Sequence, residues 1–492
     1  MSSQYRSILK ATSIFGGTQI LQLLVQLIRT KFVAMLVGAT GMGLSSIYMS
    51  SLTVVITFFG MGINTSVVRD LSKANDEGDD LRFSLIINVF KRMLFILSCL
   101  GSLFVLCTSS LLSSWSFGSF EHTEDYGFLS IIIFFTLLSQ GNSAILIGRR
   151  RVRDIALSTL YGSIVTLLTS VPFFYFWRLD GIVPGIIVST IASYIISFIY
   201  ARKVKLPQIK ISWSDVRKYG YSILSLGFTM VIASLVGNLT VYLINICITH
   251  LGGIEDLGFF NAGMAITQNV VSLVFAAMGA DYYPRLVASL KSKELMCETI
   301  NEQSEILICL SVPILAIFSL MSPLIIRILL SGEFLVLNSF VRILCVGMFV
   351  KVVSYALGYV SFAKGDKMIY VFIEGGYSNL SNLVISVSFY YLWGLQGIAY
   401  SFVIHYLLYY FIIRLVDRCR YNYKCSYQNA KVTYIGGFSI LFIYALSIFL
   451  SDALFYVLAS TFTLVISLYY LKELNRKTEL LSFIKMKIFK VS

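Results

Sequence analysis

Charged residues are scarce in this 492-residue chain: they make up 13% of the sequence, whereas hydrophobic residues make up 57%. A soluble protein is about one quarter charged, and a chain with half of that proportion has too few charges to cover its apolar surface in water. This scarcity excludes an ordinary soluble domain and predicts a membrane protein. The chain also has only six prolines and no long polar tract, which leaves little room for a disordered tail.

Residues that carry metal or catalytic chemistry are equally few. The chain has three histidines, and its eight cysteines show no CxxC pair and no metal-ligand spacing, which argues against a zinc or haem site. Histidines only at His122, His250 and His405 allow no Ser-His-Asp or Cys-His arrangement. No GxxxxGK sequence followed by Ser or Thr occurs, so we expect no built-in ATPase. The sequence therefore predicts neither an enzyme nor a bound metal.

Long apolar runs dominate what is present. A membrane-spanning helix needs roughly 20 apolar residues, and counting such runs predicts fourteen spans and an all-α polytopic membrane protein. The predicted spans lie near 12–37, 41–62, 85–107, 128–147, 155–176, 182–200, 221–246, 259–280, 304–330, 338–363, 369–392, 397–415, 432–450 and 453–471.

Lysine and arginine are distributed unevenly between the connections. They collect in one alternate set, which includes both tails, whereas segments 108–127, 247–258 and 331–337 contain neither residue. Positively charged connections stay in the cytoplasm, so we predict that both termini are cytoplasmic, which requires an even number of spans. The formal net charge of +14 is thereby explained by membrane topology, and nucleic-acid binding is not expected.

Some segments recur at an offset of 215–216 residues. The matching positions are Leu36, Gly38 and Gly43 with Leu251, Gly253 and Gly258, Arg69 with Arg285, and WRLDGI from Trp177 with WGLQGI from Trp393. An offset of six spans preserves orientation, and parallel repeats are typical of secondary transporters. Chance matching of apolar residues is the alternative. Duplication predicts an N-terminal lobe at 1–215, a C-terminal lobe at 216–431, and two appended helices with a tail at 432–492.

Three stretches carry a family resemblance. They are LVGATGMGLSSIYMSSLTVVITFFGMGINTSVVRDLSK from Leu36, GADYYPRLVAS from Gly279, and KVVSYALGYVSFAKGDKMIYVFIEGGYSNL from Lys351. They resemble the first two helices, the end of the eighth helix, and the tenth and eleventh helices of polysaccharide-unit flippases. These are the O-antigen (Wzx-type) translocases of the multidrug/oligosaccharidyl-lipid/polysaccharide (MOP) export superfamily.

The resemblance implies a MATE-like fold of two pseudo-symmetric six-helix lobes plus two C-terminal helices. It implies a flippase that moves undecaprenyl-pyrophosphate-linked oligosaccharide units, of O-antigen or a related polysaccharide, across the bacterial inner membrane by alternating access. Its partners would be the lipid-linked glycan, the lipid bilayer, and a polysaccharide polymerase with its chain-length machinery. No cofactor is expected apart from H+ or Na+ as a coupling ion.

Two other functions remain open at this point. The main alternative is a cation-coupled multidrug exporter of the same superfamily, which would need buried carboxylates for cationic drugs. The sequence offers one clear intramembrane acid, Glu374, against several cations, and this difference in sign favours an anionic cargo. A glycan polymerase or ligase is the second alternative, but the longest outer connection, near 108–127, is short.

Polar residues of the first span lie on one helical face. Thr12, Gln19, Gln22, Gln26 and Arg29 follow spacings of 7, 3, 4 and 3. Lipid would leave these carboxamides and the guanidinium without partners, so we predict that Gln22, Gln26 and Arg29 form a wall of a substrate-binding cavity. The alternative is a hydrogen-bonded seam between helices, with Arg29 reaching to the outer interface.

A second polar face is predicted in the tenth span. Gly347, Lys351, Tyr355 and Tyr359 follow one another at spacing four. This stripe suits an anionic phosphate beside a sugar, because ammonium neutralises phosphate while aromatic faces stack on pyranose rings. In the alternative interpretation, Lys351 forms a buried ion pair with Glu374 of the eleventh span. Glu374 is also a candidate for binding a coupling proton or sodium ion.

Arg69 and Arg285 follow the second and eighth spans at matched positions of the repeat. Such a pair of cations could receive a pyrophosphate headgroup bidentately, although ordinary positive-inside anchoring explains them more simply. Asp281 precedes Arg285 by four residues, and a local salt bridge is its simplest interpretation.

Overall fold

The computed structural model describes residues 3–204, 207, 209 and 211–478, and every regular element in that part is helical. Lipid offers no partners to backbone groups, so an apolar chain of this kind satisfies them within helices. The helices are α1 (Ser3–Gly60), α2 (Ile63–Asp76), α3 (Asp80–Cys107), α4 (Ser109–Phe117), α5 (Thr123–Gly148), α6 (Val152–Trp177), α7 (Ile182–Arg202), α8 (Trp213–Ser289), α9 (Lys293–Leu320), α10 (Ser322–Leu329), α11 (Asn338–Ala363), α12 (Lys367–Tyr370), α13 (Ser378–Tyr421), α14 (Tyr427–Phe449) and α15 (Asp452–Thr478).

Eleven helical stretches of the described part are long and apolar enough to cross a membrane. Three of them contain a break in helical geometry, at Gly38 in α1, at Gly253 in α8 and at Trp393–Gly394 in α13. Each break includes a glycine with positive φ, a conformation that costs glycine little and other residues more. If each broken stretch counts as two crossings, the total is fourteen, as the apolar runs predicted.

The predicted repeat shares its local backbone geometry. Gly38 (φ 63°, ψ −164°) and Gly253 (φ 87°, ψ 175°), which are 215 residues apart, break their helices in the same way. Arg178 (φ 47°, ψ −118°) and Gly394 (φ 58°, ψ −142°), which are 216 residues apart, turn the chain alike. Chance matches of Leu and Gly would not produce the same backbone turns, so duplication explains the repeat better.

Close backbone contacts at the repeat positions agree with this. A Cβ on Gly181 would lie 2.2 Å from the carbonyl oxygen of Phe173, and a Cβ on Gly397 would lie 2.0 Å from that of Phe389. In both pairs the glycine follows the phenylalanine by eight positions, and the two glycines belong to the repeated sequences WRLDGI and WGLQGI. Only a residue without a side chain permits this approach, which explains why both turns contain glycine.

Contacts divide the chain into a first unit, Met1–Asn261, and a second unit, Ala262–Ser492. The first unit contains α1–α7 and the beginning of α8, around a core that includes Phe83, Phe90 and Tyr126. Within it, a Cβ on Gly43 would lie 2.0 Å from the Ile254 carbonyl oxygen, and one on Gly258 would lie 1.8 Å from that of Ala39. The second halves of α1 and α8 therefore cross at backbone contact. The lobe boundaries drawn from the repeat stay a prediction.

The second unit is built around α9, α11 and α13, and the last two helices belong to its packing. α14 and α15 both contact α9, and the Tyr470 hydroxyl in α15 donates to the carbonyl oxygen of Val432 over 2.7 Å. Lys477, near the end of α15, forms an ion pair with the buried Glu305 of α9. α14 begins at a cap in which the Ser426 hydroxyl accepts from the Asn429 N–H.

Candidate functional site

The first unit contains a polar cavity, here called the N-cavity, between α1, α5, α6 and α7. Its two chambers have volumes of about 510 Å³ and about 370 Å³, and Gln26, Arg29 and Ser139 border both of them. Its hydroxyl and carboxamide side chains belong to Gln22, Gln26, Thr30, Ser45, Ser46, Thr136, Ser139, Gln140, Ser143, Ser158, Thr159, Ser163, Thr166, Ser189, Thr190, Ser193 and Ser197. So many hydroxyls within spanning helices make this a hydrogen-bonding surface.

The helices carry these hydroxyls without losing their own structure. Thr30 donates to the carbonyl oxygen of Gln26 over 3.0 Å, and Thr190 donates to that of Ile186 over 2.8 Å. Such bonds to the preceding turn keep Ser and Thr satisfied within an apolar helix. Between helices, Ser139 and Asn142 of α5 both donate to the Ser197 hydroxyl of α7, at 3.2 and 3.0 Å. The wall of the N-cavity is thus held together by polar contacts.

Arg29 is the charged residue of the N-cavity. Its Nε atom is buried and has no hydrogen-bond partner among the described residues. The described lining of both chambers contains no acid. A guanidinium within a spanning helix is costly unless it is paired, so this arrangement favours the binding of an anion in the cavity.

The predicted polar face of the first span therefore borders a cavity. Gln22, Gln26 and Arg29 all line it, and their contact with a substrate stays a prediction. The hydroxyl side chains of α5, α6 and α7 that line the cavity were not among the predicted site residues. A signal for them exists in the sequence, because Ser189, Ser193 and Ser197 follow one another at spacing four on α7.

The second unit contains an aromatic cavity, here called the C-cavity, of about 430 Å³. Residues of α11, α12, α13 and the π-helical segment Val371–Tyr377 border it. Its lining consists of Lys351, Ser354, Tyr355, Gly358, Tyr359, Phe362, Tyr370, Glu374, Ser378, Tyr406 and Tyr409. Five tyrosines in one cavity offer ring faces for stacking together with hydroxyls for hydrogen bonds.

The predicted face of the tenth span lies along this cavity. The Lys351 ammonium lies over the Tyr406 ring, 5.4 Å from its centroid. Tyr355 stacks on Phe275 with centroids 4.2 Å apart, and its hydroxyl lies 3.2 Å from that of Tyr359. Lys351 and Tyr355 thus share one cavity, and their role in binding stays a prediction.

Glu374 lies in the π-helical segment and accepts a hydrogen bond from the Tyr409 hydroxyl. The Asn379 amide donates to the main-chain carbonyl of Glu374 over 2.8 Å, which helps to hold this irregular turn. Single π-helical turns occur frequently at functional sites. Among the described residues no ion pair joins Glu374 to Lys351, although both border the C-cavity. The acid is held by a tyrosine instead.

Arg69 and Arg285 each contact a neighbour and border neither cavity. Arg69 in α2 is exposed and forms a salt bridge with Asp70, with 3.1 Å between Nη2 and Oδ1. Arg285 in α8 donates from Nη2 to the Gln303 side-chain oxygen over 2.9 Å. Their role as receivers of a pyrophosphate stays a prediction. The side chain of Asp281 lies outside the described residues, so its salt bridge with Arg285 is also a prediction.

One buried acid escaped the sequence analysis. The twelfth predicted span ends near 415, which leaves Asp417 in a connection, whereas α13 continues to Tyr421 and Asp417 is fully buried, with 0% exposure. Whether one face of a charged helix end is buried depends on the helices that pack against it, and the spacing of residues in the sequence does not show this.

Comparison with known proteins identifies the family of the chain and proteins of similar fold. A model of the family described as polysaccharide biosynthesis protein matches residues 8–290. The lipid III flippases of Escherichia coli (strain K12) and Shigella flexneri are each 22% identical over 385 residues, which covers 75% of this chain and 88% of theirs.

Two solved structures resemble most of the chain. The lipid II flippase MurJ in an inward closed conformation is 15% identical, with a TM-score of 0.69, 94% of this chain covered and 98% of that chain. An inward-facing multidrug resistance transporter of the MATE family of the MOP superfamily is 16% identical, with a TM-score of 0.66, 84% of this chain covered and 96% of that chain. The likeness confirms the predicted MATE-like (MOP) fold.

Proposed function

The chain belongs to the polysaccharide biosynthesis protein family, and on that premise we propose that it is a flippase for lipid-linked oligosaccharides. Its cargo would be an undecaprenyl-pyrophosphate-linked repeat unit of O-antigen or a related polysaccharide. The chain would move this unit from the cytoplasmic to the periplasmic leaflet of the bacterial inner membrane by alternating access, with both termini in the cytoplasm. The similarity to the lipid III flippases, whose name indicates a lipid cargo, supports the proposal.

The observation that carries the proposal is the arrangement around Arg29. Its buried Nε has no partner among the described residues, and the cavity around it is lined by hydroxyls and carboxamides. A glycan linked to a lipid by pyrophosphate has the complementary chemistry, namely a doubly anionic group beside many sugar hydroxyls. Arginine binds phosphate through two parallel N–H bonds. We therefore assign the pyrophosphate to Arg29 and the hydroxyl-rich wall to hydrogen bonds with the sugars.

The C-cavity has a complementary role in this proposal. The faces of Tyr355 and Tyr406 are hydrophobic surfaces on which a sugar ring can stack, and Lys351 supplies one further positive charge. The polyprenyl chain remains in lipid. A gradient of H+ or Na+ drives the exchange of conformations, and the delivered unit passes to a polysaccharide polymerase with its chain-length machinery.

A cation-coupled multidrug exporter of the same superfamily is the second candidate. Glu374 among the tyrosines of the C-cavity favours it, because an acid beside aromatic rings attracts organic cations. However, Lys351 lies in the same cavity and Arg29 in the N-cavity, and both repel such a cargo. The flippase therefore accounts for more of the charged residues.

A deletion strain tests the proposal directly. We expect the loss of one surface polysaccharide, together with accumulation of its complete repeat unit on undecaprenyl pyrophosphate at the cytoplasmic leaflet. Profiling of surface glycans and lipid-linked intermediates in the same cells measures both. Unchanged glycans with greater sensitivity to cationic drugs would support the exporter instead, and no change in either would refute both candidates.

A further inference from the structure

Asp417 lies in the last turn of α13 and is fully buried, with 0% exposure. Both of its carboxylate oxygens lack a hydrogen-bond partner among the described residues. Its main-chain carbonyl accepts from the N–H groups of Asn422 and Tyr423, the latter over 3.0 Å. The backbone at this helix end is therefore satisfied, whereas the side chain is not.

The surroundings of Asp417 disfavour a negative charge. Removal of a carboxylate from water without hydrogen bonds is costly, and the group then takes up a proton. The position at a helix C-terminus adds to this cost, because the carbonyl groups there carry partial negative charge. Burial and helix position thus act in the same direction.

Four titratable groups interact electrostatically with Asp417. Three are tyrosines, Tyr282 of α8 and Tyr409 and Tyr421 of α13, which are neutral when protonated. The fourth is Lys364, just after α11, whose ammonium lies over the Tyr421 ring at 5.3 Å from its centroid. Lys364 is exposed and forms no ion pair with Asp417 among the described residues. The charge of Asp417 would thus lack a close counter-charge.

A proton suits this position better than a metal ion. Hard cations are held by several oxygen ligands at once. Among the described residues, the Asp417 oxygens have no hydrogen-bond partner, and no group of three or more His, Cys, Asp or Glu could hold a metal. A proton needs only one carboxylate oxygen.

We propose that Asp417 is a proton-binding site that is loaded in this conformation and unloaded during the transport cycle. One carboxylate oxygen forms an O–H bond with a proton taken from water, which gives a neutral carboxylic acid, and release reverses that step. The inference rests on the proposed function only in that a flippase driven by a proton gradient needs a group that changes protonation. Glu374 differs from Asp417 in that its carboxylate has a hydrogen-bond partner, the Tyr409 hydroxyl.

Infrared spectroscopy of the purified full-length protein tests the protonation state without transport. We expect the carbonyl band of a protonated carboxylic acid at neutral pH, and a decrease in its intensity in Asp417→Asn, which has nearly the same shape. Asp366→Asn is the matched control. Asp366 accepts from Arg420 over 2.6 Å and from Tyr421 over 3.0 Å, and the Arg420 guanidinium holds the pKa of this carboxyl below its usual range. The control must leave the band intact, and a band whose intensity is undiminished in Asp417→Asn overturns the proposal.

Transport in proteoliposomes tests the coupling. With a lipid-linked oligosaccharide as cargo, an imposed proton gradient should accelerate the wild type and the Asp366→Asn variant, whereas Asp417→Asn should move cargo at the same rate with and without the gradient. A gradient response retained by Asp417→Asn overturns the coupling role. If the wild type moves no lipid-linked oligosaccharide at all, the proposed function fails, and the infrared result still decides whether Asp417 holds a proton.

Discussion

The N-cavity and the C-cavity each contain one basic residue, but the two residues differ in the partners that surround their positive charge. In the N-cavity, the Arg29 Nε is buried without a partner and the described lining contains no acid. In the C-cavity, Lys351 lies over the Tyr406 ring and shares the space with Glu374. The positive charge of the N-cavity is therefore available to an anion, whereas that of the C-cavity is partly satisfied by its neighbours.

The side chains that line the two cavities also differ in their chemistry. Serine and threonine line the N-cavity with small hydroxyls, which form directional bonds and leave space. Tyrosines line the C-cavity with large ring faces, which bind mainly by stacking. The two cavities thus differ in their chemistry. We therefore expect the N-cavity to bind the anionic group of the cargo and the C-cavity to bind its sugar rings. The following substitutions test that division.

The largest effect is expected for Arg29→Ala. Loss of a charge-assisted hydrogen bond costs about 1.5–3 kcal/mol, so binding of an anionic cargo should weaken by roughly 10- to 150-fold and export should cease. Arg29→Lys should recover only part of the activity, because lysine keeps the charge but loses the bidentate geometry. Surface glycan, normalised to the amount of the protein in the membrane, measures the effect.

Lys31→Ala provides the matched control for Arg29. Lys31 lies two residues along the same helix, and thus on a different face, and it does not border the N-cavity. We expect nearly normal export from this variant. Equal loss of export in Lys31→Ala and Arg29→Ala would contradict the assignment of a specific role to Arg29 in the N-cavity.

The next largest effect is expected for Gly43→Ala, which should lower the stability of the folded protein. The new Cβ would lie 2.0 Å from the Ile254 carbonyl oxygen, so two backbone segments beside the N-cavity residues Ser45 and Ser46 must separate. Overpacking of this kind costs about 1–3 kcal/mol. Thermal unfolding of the purified protein should show a lower midpoint.

The C-cavity supplies the control for the glycine experiment. In Gly358→Ala the new Cβ would meet the Tyr409 hydroxyl at 2.9 Å, and the end of a side chain can shift more cheaply than a backbone carbonyl. We expect a smaller change in the unfolding midpoint than for Gly43→Ala. The reverse order would contradict the view that α1 and α8 make a tight backbone contact.

Lys351→Ala should weaken export less than Arg29→Ala. A cation over an aromatic ring contributes about 1 kcal/mol, and its loss corresponds to roughly a fivefold change. We expect Lys351→Arg to retain activity, because arginine also lies well over a ring. The export assay used for Arg29 measures this effect. An effect of Lys351→Ala as large as that of Arg29→Ala would remove the proposed division between the cavities.

The smallest effect is expected for Tyr409→Phe. This variant keeps the ring and removes the hydrogen bond to Glu374, for which a loss of about 0.5–1.5 kcal/mol is typical. The lost bond joins two groups of the protein rather than the protein and its cargo, so export should fall by less than it does in Lys351→Ala. Complete loss of export would instead assign an essential role to the Tyr409–Glu374 pair, and Glu374→Gln would then become the substitution to compare.

Local features of this fold could be predicted well from the sequence. The gaps between the predicted spans at Gly38 and Gly253 coincide with the breaks in α1 and α8, because glycine permits the positive φ at each break. The polar face of Gln22, Gln26 and Arg29 follows from helical periodicity alone. So does the shared face of Lys351 and Tyr355, which the C-cavity confirms.

Contacts between distant segments could not be predicted in the same way. Glu374 was expected to pair with Lys351 or to bind a coupling ion, and its observed partner is Tyr409, 35 residues along the chain. Asp417 lies beyond the predicted end of the twelfth span, near 415, yet it is fully buried. A single sequence gives the face on which a residue lies but not the neighbour that covers this face.

The sequence by itself determined the membrane class, the fourteen crossings and the repeat. These properties depend on the length of apolar runs relative to the bilayer and on local backbone preferences, which act over a few residues. Only the tertiary structure decided that the hydroxyls of α5, α6 and α7 face Arg29, that tyrosines surround Lys351, and that Asp417 is enclosed. Each depends on how packed helices are rotated about their axes, and that rotation is set by all contacts of a helix together.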